Sequence, residues 1–191
     1  MCLFLFQISK KNEEHPFSVA YILPDGGLVI IAKVLGDYTA KLASLRPDGL
    51  AMVDGPYGNF GDNIDKSQRQ IWIAGGIGIT PFIAMTKAYV ACPMEDSRVN
   101  IFYVVASEDD LTEVDDLRQM ADTCPNFKLT TYISDQEGRF NIEKLSSFVK
   151  DFRSCDFFLC GSAGLVEYFV TTLRKENIPQ GRINIEAFKF L

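Results

Sequence analysis

The residues best suited to chemistry cluster in one short run, Ile71-Trp72-Ile73-Ala74-Gly75-Gly76-Ile77-Gly78-Ile79-Thr80-Pro81. An apolar strand enters a glycine-rich turn, after which Thr80 offers an N-cap hydroxyl and Pro81 suits the first helical position. Gly75, Gly76 and Gly78 let a pyrophosphate approach the backbone, and the helix start supplies free N–H groups and a positive dipole. The same residues also suit a plain tight strand-to-helix turn, and Pro81 stands where the usual dinucleotide fingerprint has its third glycine. A second candidate is Cys160-Gly161-Ser162, at the end of an expected strand, on the edge where open α/β sheets bind ligands. A buried structural cysteine is the alternative there. Nucleophilic catalysis is not implied, because His15 is the one histidine in the chain, far upstream, and no base is evident.

The elements that must position these groups read clearly from residue 70 onward. Strands are expected at Gln70–Ala74, Val99–Val105, Phe127–Ile133, Phe157–Cys160 and Arg182–Glu186. Helices are expected at Pro81–Ala91, Thr112–Thr123, Asn141–Lys150 and Gly164–Glu176. Strict alternation of this kind predicts an α/β, five-stranded parallel, doubly wound domain covered on both faces. Earlier, short apolar or alternating runs at Leu3–Ile8, Phe17–Leu23 and Leu28–Val34 predict antiparallel strands, and a short helix is expected to begin near Ala40. Gly49 through Gly61 is rich in Gly, Pro and Asp and reads as turns. Asp62 to Arg69 is polar without an apolar period, which predicts a linker at 63–69 between a β module (1–62) and the α/β domain (70–191).

Composition narrows the partners. The chain has 191 residues and a net charge of −6, a balance that argues against binding phosphate backbones, so no nucleic-acid partner is expected. Hydrophobic content of 47% belongs to a folded chain, yet no stretch reaches the ~18 apolar residues of a membrane helix. Met1-Cys2-Leu3-Phe4-Leu5-Phe6 lacks a basic leader and a cleavage site and reads as an amphipathic strand. The five cysteines form no C-x-x-C pair, which leaves an iron–sulfur cluster or structural zinc without a ligand set. Their odd, scattered number suits a reducing compartment, and a cytoplasmic location is expected.

Taken in order, His15-Pro16-Phe17-Ser18, Gly36-Asp37-Tyr38-Thr39, Gly55-Pro56-Tyr57-Gly58, Gly75-Gly76-Ile77-Gly78-Ile79-Thr80-Pro81, Cys160-Gly161 and Glu186-Ala187-Phe188 resemble the motif series of the ferredoxin–NADP reductase superfamily. The His-Pro-Phe-Ser form resembles its ferric reductase and NADPH oxidase branch. The resemblance implies FAD and NAD(P)H as cofactors, with hydride passing from nicotinamide to flavin and then electrons singly to haem, ferric iron or another carrier. It implies that Phe17 lies against the flavin ring, that Ser18 hydrogen-bonds near flavin N5, and that His15 stands at the flavin phosphate position, with Pro16 also among the cofactor-binding residues. Gly36, Tyr38 and Thr39 would introduce the helix that holds the flavin diphosphate, although Asp37 opposes a close phosphate. Gly55, Pro56 and Tyr57 would line the gap between the domains. Cys160 and Gly161 would sit beside the nicotinamide, Glu186 would be an acidic partner near hydride transfer, and Phe188 would cover the flavin face.

Ser107 opens the run Ser107-Glu108-Asp109-Asp110, where NADPH-preferring relatives offer basic or hydroxyl groups. The acids here favour NADH, although acids before a helix also simply suit its dipole. Family flavin domains are complete antiparallel barrels, of which residues 1–62 supply only about half. A fragment of a longer polypeptide or a reduced module is therefore expected, with a haem-bearing membrane portion upstream if the parent belongs to the ferric reductase branch; the location would then be the cytosolic face of a membrane. Two other readings stay open: a soluble reductase serving ferredoxin or flavodoxin, and a nucleotide-binding module without turnover.

Overall fold

The computed structural model describes residues 3–7, 14–34, 36–42, 44–47, 49–62, 64, 69–91 and 96–186. Its elements, in order, are β1 (Leu3–Gln7), β2 (His15–Ile22), β3 (Leu28–Ile30), α1 (Asp37–Leu42), β4 (Met52–Tyr57), β5 (Arg69–Gly75), α2 (Thr80–Ala91), β6 (Arg98–Val105), α3 (Val114–Thr123), β7 (Phe127–Ile133), α4 (Ser134–Glu137), α5 (Ile142–Phe148), β8 (Asp156–Cys160), α6 (Ala163–Lys175) and β9 (Ile183–Glu186). They form a five-stranded parallel sheet, order β7-β6-β5-β8-β9, and a four-stranded antiparallel sheet, order β3-β2-β1-β4.

The parallel sheet is buried on both faces, which is why Ile71 to Ala74 of β5 form an unbroken apolar run. Alternation along each strand sends side chains to opposite faces, and this divides the core. Trp72, Ala74, Ile101, Tyr103, Val105, Phe158 and Cys160 pack with Phe82 and Ile83 of α2 and Leu117 of α3. Ile71, Ile73, Phe102, Val104, Phe157 and Leu159 pack with Leu145 of α5 and Phe169 and Leu173 of α6. The first of these clusters also contains Ala20 and Phe60, so one buried cluster joins the two sheets. Helix α2 lies between β2 and the parallel sheet. That position explains why Pro81, Phe82, Ile83, Met85, Thr86 and Tyr89 are all buried, leaving the helix little polar face.

Several elements depart from the sequence expectation for identifiable reasons. Helix α3 starts at Val114 rather than Thr112, because the Thr112 amide donates to Tyr103 Oη at 3.1 Å and Glu113 turns into the left-handed region at φ 54. Helix α1 begins at Asp37, three residues before the expected Ala40, with Ala40 N donating to the Gly36 carbonyl. Residues 31–34 lie outside β3, after a register shift between Val19 and Tyr21 on its partner strand. The Gly55-Pro56-Tyr57 segment, expected as a turn, lies within β4, with Gly55-Pro56 cis. As an edge strand, β4 tolerates a proline that has no N–H to give a ladder. Residues 63 and 65–68 of the expected linker lie outside the described residues. Ile64, within it, packs on the core and accepts a hydrogen bond from Gln70 Nε2.

Candidate functional site

A cleft of about 590 Å³ opens at the carboxyl edge of the parallel sheet. Gly75 and Gly76 form one wall, Val104–Ala106 at the end of β6 another, and Ser162, Gly164 and Leu165 at the start of α6 a third. Ser134, Arg139 and Phe140 close its far end, and Lys33 and Asp110 stand on its rim. Strand β5 is flanked by β6 and β8, and the crossovers leave it on opposite sides, so the cleft lies at the switch point where open α/β sheets take ligands.

The glycines divide their tasks. Gly76 has φ 53 and nothing near the position its Cβ would take, so it presents bare backbone to the open cleft. Gly78 is buried, and a Cβ there would fall 2.5 Å from the Cys160 carbonyl oxygen. It thus lets the turn press against the end of β8 instead of facing the cleft. A 3-10 turn over Gly76–Ile79 runs directly into α2, which corrects the expected cap: Thr80 is already helical, and its hydroxyl donates to the Ile77 carbonyl at 3.0 Å. Thr80 and Pro81 are both buried behind the turn. The first N–H groups of the helical segment accordingly come from Gly76 onward.

Register places Ala74, Cys160 and Glu186 side by side on β5, β8 and β9. Cys160 is fully buried, and burial pushes its thiol far above the ordinary range, with the Glu186 charge adding to the effect. Burial likewise raises the Glu186 carboxyl. The pair forms a corner of one buried thiol and one half-buried carboxyl, with no thiolate nucleophile. Phe188, expected to join it, lies outside the described residues.

On the antiparallel sheet, Ser18 is buried, and among the described residues its Oγ is the buried side-chain oxygen without a hydrogen-bond partner. It stands two residues along β2 from Ala20, which shares a buried cluster with Ile79 and Cys160. Beside it is an aromatic group. Phe17 meets Phe6 edge-on at 5.8 Å and lies nearly parallel to Tyr38 at 6.4 Å. His15 stacks on Tyr38 with ring centroids 3.6 Å apart, while Pro16 is exposed. Tyr38 Oη donates to the Phe6 carbonyl at 2.8 Å, which fixes the ring. The Thr39 hydroxyl accepts from Gly36 N and donates to Gly36 O, so it caps its own helix. On exposed β4, Tyr57 donates to Asp54 at 2.6 Å, a bond that raises the phenol's pKa.

This geometry has counterparts among known proteins. The model of the family described as oxidoreductase NAD-binding domain matches residues 72–171. The chain belongs to that family. It is 25% identical over 146 residues to the plasma membrane-associated coenzyme Q6 reductase of Saccharomyces cerevisiae, covering 72% of this chain and 47% of that protein. It is 25% identical over 144 residues to the flavohemoprotein of Giardia intestinalis, covering 65% of this chain and 31% of that one. The chain thus spans less than half the length of these relatives. A ferredoxin–NADP+ reductase from Plasmodium falciparum, solved with 2'P-AMP, has the same fold, at a TM-score of 0.77 and 21% identity over 98% of this chain and 82% of that one. These findings place the oxidoreductase NAD-binding domain family member within the ferredoxin–NADP reductase superfamily.

The residues present fit a dinucleotide and a flavin. Gly76 offers an open backbone at a ligand-sized cleft, and the partnerless Ser18 hydroxyl, one residue along β2 from Phe17, offers a buried hydrogen bond to a polar ring edge. Sequence reasoning did not reach Lys33, Ser134 and Arg139. Lys33 and Asp110 are 77 positions apart and meet only through the fold, whereas Ser134 opens α4 and Arg139 follows it, a helix too short to leave a period. Ser107 lies beside the cleft rim, its hydroxyl 3.3 Å from Asp110 Oδ2.

Proposed function

We propose that this chain is the reductant-accepting part of a flavin-dependent NAD(P)H oxidoreductase. The observation that carries the reading is the cleft over Gly75 and Gly76 at the carboxyl edge of the sheet; behind it Gly78 packs on the end of β8, where Cys160 pairs in register with Glu186. In this reading Gly76 and the turn amides hold the dinucleotide phosphates, as helix N-termini hold anions. Cys160 and Gly161 shape a dry wall for the nicotinamide end, and the raised Glu186 carboxyl supplies a group that keeps its proton more readily than a solvated one. Phe17 and Tyr38 provide a flat apolar surface for the flavin, and Ser18 Oγ a hydrogen bond to it, with Gly36, Thr39, His15 and Tyr57 at the flavin's periphery. When bound, nicotinamide donates a hydride and flavin accepts it; the protein's part is to hold and align them.

The flavin would pass its electrons singly to haem, ferric iron or another carrier, as the resemblance of His15-Pro16-Phe17-Ser18 to the ferric reductase and NADPH oxidase branch implies. NADH is the preferred donor, because Glu108, Asp109 and Asp110 put three acids by the cleft's outer rim, where a 2′-phosphate would meet repulsion. The test is anaerobic addition of NADH to the chain mixed with FAD. Loss of the flavin's visible absorbance at a rate that scales with protein supports the reading, and bleaching no faster than in buffer refutes it. A second reading, dinucleotide binding without turnover, is favoured by one observation: β4 is exposed along its whole length, which leaves the flavin side open. Binding of NADH without bleaching is its signature.

A further inference from the structure

The rim of the cleft is held by an ion pair that joins the two sheets. Lys33, in the segment after β3, places its Nζ 2.9 Å from Asp110 Oδ1, in the turn after β6. The two partners are unequally anchored. Asp110 sits in a 3-10 turn, with its amide donating to the Ser107 carbonyl, its other carboxylate oxygen 3.3 Å from Ser107 Oγ, and its carbonyl accepting from Tyr103 Oη. Tyr103 Oη is itself fixed by the Thr112 amide. Lys33 belongs to no helix or strand, and its side chain is 51% exposed on a flexible stem. Both line the cleft that Gly75 and Gly76 open onto, and among the described residues the other cation lining it, Arg139, lies over the Tyr168 ring with its guanidinium carbon 4.9 Å from the centroid.

We infer that Lys33 is an exchangeable ligand: Asp110 holds it in the free protein, and the diphosphate of an entering dinucleotide takes it over, so that Asp110 sets the affinity of the cleft by competing for this one ammonium. The inference rests on the dinucleotide reading of the cleft. Its physical basis is that an ammonium is a point charge that serves carboxylate or phosphate equally well in direction, while a diphosphate brings more charge and more acceptor oxygens than one carboxylate. The free pair can compete because its atoms are 2.9 Å apart, and the Lys33 hydrogen bond and charge accordingly hold the Asp110 carboxyl below its ordinary range. Being exposed, it is also weak enough to be given up.

The test is the dissociation constant for ADP-ribose, measured by calorimetry on the full chain at low salt, for the wild type, Asp110→Asn, Lys33→Ala, the double variant and Lys33→Arg. Asp110→Asn is expected to tighten binding roughly three- to fivefold, the scale of one exposed ion pair. Lys33→Ala is expected to weaken it by a similar factor, and Lys33→Arg to restore it. In the Lys33→Ala background, Asp110→Asn should change affinity by less than about twofold, because the lysine it would release is gone. An equal gain in both backgrounds would show that Asp110 acts only by repelling phosphate, and would overturn the exchange. So would a loss on Asp110→Asn, the mark of a purely structural bridge. Wild-type binding with no difference among the variants also overturns it while leaving the cleft assignment intact. No ADP-ribose binding by the wild type removes both.

Discussion

The two sheets of this chain face their surroundings in opposite ways. In the parallel sheet, Ile71, Trp72, Ile73, Ala74, Phe157, Phe158, Leu159 and Cys160 are 0–1% exposed, and reactive character enters only at the strand ends. In the antiparallel sheet, β4 is exposed throughout, Met52 and Ile22 are 71% and 66% exposed, and among the described residues the Ser18 hydroxyl is buried without a partner. One sheet is a finished scaffold that offers a cleft; the other is an open surface whose groups make sense with something laid against them. The contrast teaches where stability and cofactor affinity should reside, and substitutions can separate the two.

The largest effect is expected in the parallel sheet. Phe158 packs edge-on against Phe60 and Trp72, and Phe158→Ala should destabilise the chain by about 3–5 kcal/mol, read by denaturant unfolding. A loss below 1 kcal/mol would mean that the joint core is looser than its burial indicates. Ser18→Ala should act in the opposite direction. Removing a buried hydroxyl that lacks a partner should stabilise the free protein by about 1 kcal/mol while weakening flavin binding several-fold. Destabilisation with unchanged flavin affinity would assign that hydroxyl to the fold.

The Glu186 contribution depends on pH. Its folded pKa is raised by burial, so the stability linked to its protonation is fully present below the unfolded value near ~4.3 and is lost as pH rises through the folded pKa. Glu186→Gln should therefore raise the melting temperature at neutral pH, with the gain shrinking as the solution is acidified toward about pH 4. A gain independent of pH would contradict a half-buried, titrating carboxyl. The smallest effect belongs to the open sheet: Met52→Ala should stay within about 0.5 kcal/mol of the wild type. A larger loss would reveal contacts to β4 in solution.

The same contrast explains what could be read in advance. The parallel sheet was legible because period and burial agree: Phe127–Ile133 is bounded as the residues alone indicate, and β5 follows from its apolar run into glycines. The placing of two candidate residues was legible too, since Cys160 and Glu186 stand at the ends of expected strands and these strands pair. What stayed hidden was set by contacts across the fold. The Tyr103 hydroxyl takes the Thr112 amide and moves the start of α3. Gly78 serves a backbone contact with Cys160 and not the cleft. Strand β4 was read as turn because glycine and proline usually punctuate, whereas an edge strand accommodates both. Lys33 gave no local signal of its meeting with Asp110.

The central claim, that the carboxyl edge around Gly76 receives a dinucleotide, is tested most directly by following backbone amide resonances during titration with ADP-ribose. The account predicts that shifts concentrate at Gly75, Gly76, Ala106, Ser134, Ser162 and Gly164, the lining of the cleft. Shifts confined to the opposite edge of the sheet, around Arg98, Asn100 and Lys150, would contradict it.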